Sequence, residues 1–218
     1  MIFERWQALG NDYLIVEADN LPFELTPPRI QRLCDRHFGV GSDGILLLSR
    51  TAAPGSVANL RIFNPDGGEA ELSGNGAREA VLYLRRNGWA DADVFSIETV
   101  AGEIRPTITS PTTCTVDMGR ARLHSDDFPS GGVDGTGELH VDGRVWRFQH
   151  VKIGNPQCSI RVANLATLAS LDLSAIGPAI ERNELFPNRT NVSWYTPIAQ
   201  DRIRARIFER GVGEDLAS

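Results

Sequence analysis

The apolar positions of this chain fall mostly into short runs bounded by glycine, proline, asparagine and aspartate, the spacing expected of strands. Such runs lie at 45–48, 59–63, 94–99, 103–108 and 115–118, and again at 137–141, 144–151, 158–162, 192–196 and 202–208. Helical signals are fewer. Thr26-Pro27-Pro28 reads as an N-cap followed by prolines of a first helical turn, with Ile30, Leu33 and Cys34 as its apolar stripe. A second signal spans 173–182, where Gly177-Pro178 is expected to bend or interrupt the helix. The most informative covers 77–86: Ala77, Ala80, Val81, Leu82, Tyr83 and Leu84 make it apolar around most of its circumference, and Gly88 stands where a C-terminal cap belongs. A helix of that kind is buried on most sides, so strands are expected to wrap around it.

The same pattern occurs twice. Arg61-Ile62-Phe63 recurs as Arg206-Ile207-Phe208, and at the same offset of 145 Gly68 meets Gly213, Glu69 meets Glu214 and Ser73 meets Ser218. Gly10-Asn11 recurs as Gly154-Asn155 at an offset of 144. Several matches in one order predict two homologous halves. The helix that follows Ser73 has no counterpart after Ser218, so the second half is expected to lack its central helix, and to be loose for want of it.

Bulk chemistry narrows the function. The 218 residues are 41% hydrophobic and 23% charged, ordinary for a globular protein. The net charge of −6 and pI of about 5.3 give no electrostatic footprint for nucleic acid. The longest apolar run, 45–48, is far too short to span a membrane, and the start Met1-Ile2-Phe3-Glu4-Arg5 resembles no secretion signal. Cys34, Cys114 and Cys158 are widely spaced and odd in number, which argues against a disulfide framework and for a cytoplasmic protein. No Cys/His spacing suggests a metal. Gly39–Gly44 formally matches a nucleotide-binding glycine pattern, but it follows a helix signal and precedes a strand, the reverse of the required order, and reads as a structural loop. His37, His124, His140 and His150 lie outside the repeated motifs and read as structural.

The repeated segments point to a small anionic ligand. Ser73-Gly74-Asn75-Gly76 opens a buried helix, whose free N–H groups and dipole favour a carboxylate, and Asn64 brackets the same place. Two such turns facing one another would suit stereoinversion, one group removing a proton from a carbon and the other delivering one to its opposite face. Ser73 is equally a good N-cap.

Ordered signatures make the pattern specific. Gly10-Asn11-Asp12-Tyr13, Gly39-Val40-Gly41-Ser42-Asp43-Gly44, Arg61-Ile62-Phe63-Asn64-Pro65-Asp66-Gly67, Glu69-Ala70-Glu71-Leu72-Ser73-Gly74-Asn75-Gly76-Ala77-Arg78, Gly154-Asn155-Pro156, Phe186-Pro187-Asn188-Arg189-Thr190-Asn191 and Glu209-Arg210-Gly211 together resemble the diaminopimelate epimerase family, over the whole chain. The resemblance implies an α+β fold of two homologous domains, 1–118 and 119–218, each a barrel-like sheet around a central helix, with the site between them and the second domain incomplete. It implies cofactor-independent interconversion of LL- and meso-diaminopimelate, an isomerisation of lysine and peptidoglycan biosynthesis, without pyridoxal phosphate or metal. The expected partner is a small amino-acid substrate, with no nucleic acid or membrane, and a homodimer stays open. By resemblance the substrate contacts are Asn11, Asn64, Gly74, Asn75, Asn155, Asn191, Glu209 and Arg210, and the catalytic positions are Ser73, Ser218 and Glu209.

The departures bear on chemistry. The family carries a thiol where this chain has Ser73 and Ser218, a histidine where it has Gln157 and a glutamine where it has Gly44. A thiol with pKa ~8.5 can be tuned to a thiolate base, whereas an unassisted serine hydroxyl is a much weaker acid. Three readings follow: an epimerase with an altered mechanism, a binding homologue that has lost inversion, and a serine-type relative that abstracts one proton and dehydrates.

Overall fold

The computed structural model describes residues 1–215. They form two compact units, Met1–Gly119 and the residues from Arg120 onward. The first runs β1 (Glu4–Ala8), β2 (Asn11–Glu17), α1 (Pro27–Cys34), β3 (Gly44–Ser49), β4 (Ser56–Phe63), β5 (Glu69–Ala70), α2 (Gly74–Arg86), β6 (Ser96–Thr99), β7 (Gly102–Ser110) and β8 (Thr113–Asp117). Its sheet has the order β1-β2-β3-β4-β6-β7-β8, with β5 attached to β4. The pairs β2–β3 and β4–β6 are parallel. Helix α2 touches both edge strands, β1 and β8, and also β2, β3 and β7. The sheet therefore curls around α2 as an open half-barrel.

Strand alternation explains how one sheet serves two faces. Along β2, Tyr13 and Ile15 join the cluster around α2, while Leu14 and Val16 join the one beneath α1. With both faces covered, Asn11 through Val16 are all buried, and the strand reads as an almost unbroken apolar run. Helix α2 carries Ala77, Ala80, Val81, Tyr83 and Leu84 into the core. It begins three residues earlier than its apolar pattern predicts, because Ser73 caps it and Gly74-Asn75-Gly76 form its first turn. It ends as expected: Gly88 has φ +69°, and its N–H and that of Trp89 donate to the carbonyls of Arg85 and Leu84 at 3.4 and 2.9 Å, closing the last turn.

The second unit runs β9 (Thr136–Val141), β10 (Arg144–Ile153), β11 (Asn155–Arg161), α3 (Leu165–Ser170), α4 (Leu173–Glu181), β12 (Asn191–Ala199), β13 (Arg202–Glu209) and β14 (Gly213–Asp215). Its sheet has the order β14-β13-β12-β11-β10-β9. The sequence repeat reappears as strand register. Tyr13 pairs in parallel with Gly44, and Gln157 with Asn191. Ile45 faces Phe63 as Val192 faces Phe208, and Phe63 faces Glu69 as Phe208 faces Glu214. The repeated Arg and Glu make the same ion pair in each half: Arg61 Nε donates to Glu69 Oε1 at 2.7 Å, and Arg206 Nε to Glu214 Oε1 at 2.9 Å.

Two expectations need correction. Helix α4 runs unbroken through Pro178, whose position costs one backbone hydrogen bond without ending so short a helix. The second half also has a core. Trp146, Phe148, Cys158, Ile160, Val192, Trp194 and Phe208 pack with Leu168, Leu173, Ile180 and Phe186 of the α3–α4 region. These sheet positions correspond to the α1 face of the first half. The alternate positions, Ser159, Ser193 and Ala205, correspond to the α2 face, and they are only partly buried. No helix among the described residues is long and apolar enough to cross a membrane.

Since Leu84 is wholly buried between α2 and the curled sheet, Leu84→Ala should lower the unfolding free energy of the chain by about 2–5 kcal/mol in urea titration. A loss below about 1 kcal/mol would mean that α2 is not the organising core of this unit.

Candidate active site

The sequence-distant residues of the first half meet at one end of its sheet. Asn11 opens β2 after a two-residue turn in which Leu9 and Gly10 have φ 57° and 95°, the positive pair of a type I′ hairpin. Asn64 follows β4, and since Phe63 pairs with Ile45 it lies beside the start of β3. Its backbone N–H donates to the Gly68 carbonyl at 2.8 Å, closing the loop that leads into β5. Ser73 then caps α2, its Oγ accepting from the Gly76 N–H at 3.1 Å. Gly74 and Asn75 follow in the first turn, where N–H groups have no partner within the helix. Gly76 is closely packed: a Cβ there would stand 2.9 Å from Leu46 Cδ2 and would push that side chain aside.

An ionic lattice fixes the turn that carries Asn11. Asp43 Oδ2 accepts from the Asp12 N–H at 2.9 Å and from Asn11 Nδ2 at 3.3 Å. Arg36 Nη2 reaches both Asp12 and Asp43 at 2.6 Å, and Arg5 Nε reaches Asp12 at 2.6 Å. Burial pushes the Asp12 carboxyl up, but the hydrogen bonds from Arg36 and Arg5 outweigh it and hold the group below the usual carboxylate range. Asp12 and Asp43 were visible in the signatures as residues, but their work in orienting Asn11 was not. Pairing Asp12 with two arginines from different segments is a tertiary event.

Two further residues escape sequence reasoning. The Tyr13 hydroxyl donates to Ser73 Oγ at 3.2 Å. The ring reaches that place across Gly44, where a Cβ would stand 2.6 Å from Tyr13 Cε1. Gly39–Gly44 is a structural loop, as expected: it joins α1 to β3, and a Cβ on Gly39 would meet the Arg32 carbonyl oxygen at 1.9 Å. The other residue is Glu79. It is 2% exposed inside α2, and neither carboxylate oxygen makes a close hydrogen bond, the Ala8 amide offering only a weak one. Burial, aided by the charge of Asp12, pushes its carboxyl up to about 8, against weaker pulls from the Ala8 amide and Arg78.

In the second unit the corresponding positions also gather at one end of the sheet. Asn155 opens β11, Asn191 opens β12, and Glu209 closes β13, in the places that Asn11, the start of β3 and Asn64 occupy in the first. Asn191 Oδ1 accepts from the Arg210 N–H at 2.9 Å, and Arg210 Nη1 donates to the Asn188 carbonyl at 2.9 Å. Beneath them the buried Glu181 pairs with Arg189 and Arg182 and accepts from the Gly211 N–H at 3.3 Å. Gln157 stands in the register position of Tyr13. Ser218 lies outside the described residues. His150 is fully buried, its Nε2 2.9 Å from Ser125 Oγ. Asp127 contacts that serine rather than the ring, and His150 Nδ1 has no partner. This grouping is a packed core histidine, not a nucleophile–base pair. Among the described residues no group of His, Cys, Asp and Glu could hold a metal ion.

Comparison with known proteins shows what this chain is similar to. The family model described as diaminopimelate epimerase matches residues 6–124. Diaminopimelate epimerase 2 of Nostoc sp. (strain PCC 7120) is 41% identical over 222 residues, covering 100% of this chain and 76% of that protein. The diaminopimelate epimerase of Pelotomaculum thermopropionicum is 38% identical over 226 residues, covering 100% and 79%. Among solved structures, a probable proline racemase from Agrobacterium radiobacter K84, with bound carbonate, superposes with a TM-score of 0.71 at 15% identity, covering 98% of this chain and 72% of that one. A hydroxyproline epimerase from Agrobacterium vitis, with bound trans-4-hydroxy-L-proline, gives 0.69 at 13% identity, covering 98% and 71%. These two establish a shared fold.

Glu79 supplies a test of the site's electrostatics. With its carboxyl raised from 4.5 to about 8 in the folded chain, the stability it contributes is complete below pH 4.5. That stability is lost as pH rises toward 8, where the unfolded chain is ionised and the folded one is not. Glu79→Gln should flatten the decline over that window, by an amount on the order of a few kcal/mol. Denaturation midpoints that fall with pH equally in both proteins would show that Glu79 ionises normally.

Proposed function

The chain belongs to the diaminopimelate epimerase family, and from that premise we propose that it inverts the α-carbon of diaminopimelate by proton removal and return, with no cofactor. The observation that carries this reading is the placement of Ser73. Its Oγ sits at the N-terminus of the buried α2, at the family's thiol position, between the Gly76 N–H and the Tyr13 hydroxyl. A carboxylate next to the reacting carbon would be met by the N-terminal turn of α2, at Gly74 and Asn75, and by the amides of Asn11 and Asn64. Withdrawing charge through that carboxylate is how the α-proton is made acidic without a cofactor. Asn155, Asn191, Glu209 and Arg210 supply the remaining polar contacts of the substrate. Arg210 offers a planar fork suited to a carboxylate, and Glu209 can pair with an ammonium group. Ser73 and Ser218 are the proton-handling positions. The substrate is small, and the reading includes neither nucleic acid nor membrane as a partner.

Serine in place of thiol makes the chemical step slow rather than abolishing recognition. The α-hydrogen of LL- or meso-diaminopimelate should exchange only slowly with deuterium oxide in the presence of this chain, as followed by proton NMR. Ser73→Cys together with Ser218→Cys should accelerate exchange by about 10²-fold or more. Should the doubly substituted chain bind diaminopimelate and exchange no faster than the parent, the two positions are not the proton-handling groups. The chain is then a ligand-binding homologue.

A further inference from the structure

We propose that Tyr13 is a positioning residue for the proton-handling atom at position 73: its hydroxyl and the Gly76 N–H together form a two-donor cradle that holds negative charge on that atom. The inference rests on the reading of Ser73 given above and adds a group that it does not contain.

Three observations carry it. The Tyr13 hydroxyl donates to Ser73 Oγ at 3.2 Å while the Gly76 N–H donates to the same oxygen at 3.1 Å. Oγ therefore accepts from two donors, which leaves its own hydrogen as the proton it can give up. When that hydrogen leaves, the charge that remains is met by two donors already in place, at the positive end of α2, with no reorganisation. Second, the donor is rigidly held. Tyr13 is 5% exposed and packs in the α2 core, so its hydroxyl is aimed by the ring rather than by a flexible stem. Third, the ring lies tight against residue 44, its parallel-strand partner: a side chain there would begin 2.4 Å from the Phe63 carbonyl oxygen and 2.6 Å from the ring edge, so glycine leaves the ring its place. The departures from the family pattern at 44 and 73 are thus neighbours in one contact, joined through Tyr13. A hydrogen bond to an anion is stronger than one to a neutral oxygen, so the cradle favours the ionised form of whatever acid stands at 73.

A thiol at that position makes the effect measurable without any turnover. In a Cys114→Ser background, where Cys34 and Cys158 are buried, Ser73→Cys supplies one accessible thiol. Its ionisation is read from the pH dependence of iodoacetamide alkylation. Adding Tyr13→Phe should move the apparent thiol pKa up by about one unit and slow alkylation at pH 7 about tenfold. Tyr83→Phe, which removes a hydroxyl bonded to Glu17 instead, should leave the profile in place. Incorporating 3-fluorotyrosine at position 13, a better donor with the same ring, should move the pKa down, which keeps the test decisive if Tyr13→Phe proves unstable. Superimposable profiles for the Tyr13 variants, or an equal shift from Tyr83→Phe, overturn the proposal. Since nothing here depends on diaminopimelate, failure of the exchange experiment and failure of this one are separate results.

Discussion

Burying α2 inside the curl of the first sheet is the constraint on which the rest of this unit depends. The N–H groups of its half-buried first turn have no carbonyl partner within the helix, so each is met by a cap, by water or by a ligand. Ser73 takes one of them. The close approach of this turn to the sheet favours glycine at 76, because a side chain there would displace Leu46. Crowding also holds residue 44 to glycine, between the Phe63 carbonyl and the Tyr13 ring. The small and polar residues of the helix entrance are thus as much a consequence of packing as the apolar residues behind them.

The two halves repeat a scaffold, not a set of chemical groups. Parallel pairing of β2 with β3 and of β11 with β12, and the Arg–Glu pair that ties each short strand to its neighbour, are common to both. On that scaffold Tyr13 is matched by Gln157 and Asn64 by Glu209. The ionic lattice of Arg5, Arg36, Asp12 and Asp43 belongs to the first half alone and stiffens the Asn11 turn on that side.

The electrostatics of the first half place opposite demands on two carboxyls a short way apart. Asp12 is held ionised by two arginines, while Glu79, buried in the helix without a close hydrogen bond to either oxygen, is held neutral. Each stabilises the state of the other, since an ionised Glu79 would face the charge of Asp12 across a poorly screened interior.

Much of this was legible in the chain alone. Periodicity located α2 and most strands because burial on two faces leaves a local trace in every stretch of apolar residues. The repeat was legible because two copies of one scaffold need the same Arg, Glu and turn glycine at the same spacing. Asn11, Ser73 and Asn155 could be named because they sit in repeated segments, and Asn64 and Glu209 because the family resemblance adds to the repeat. What the chain alone could not show is what happens between segments. The continuity of α4 through Pro178 and the core beneath the second sheet depend on helices packing against strands distant in sequence. The state of Glu79 depends on a desolvated interior, and the contact of Tyr13 with Ser73 on a ring crossing a glycine of the neighbouring strand. Local patterns report which surface a residue buries. Only the tertiary structure decides which partner it meets there, because that choice is made by strand register and close packing across tens of residues.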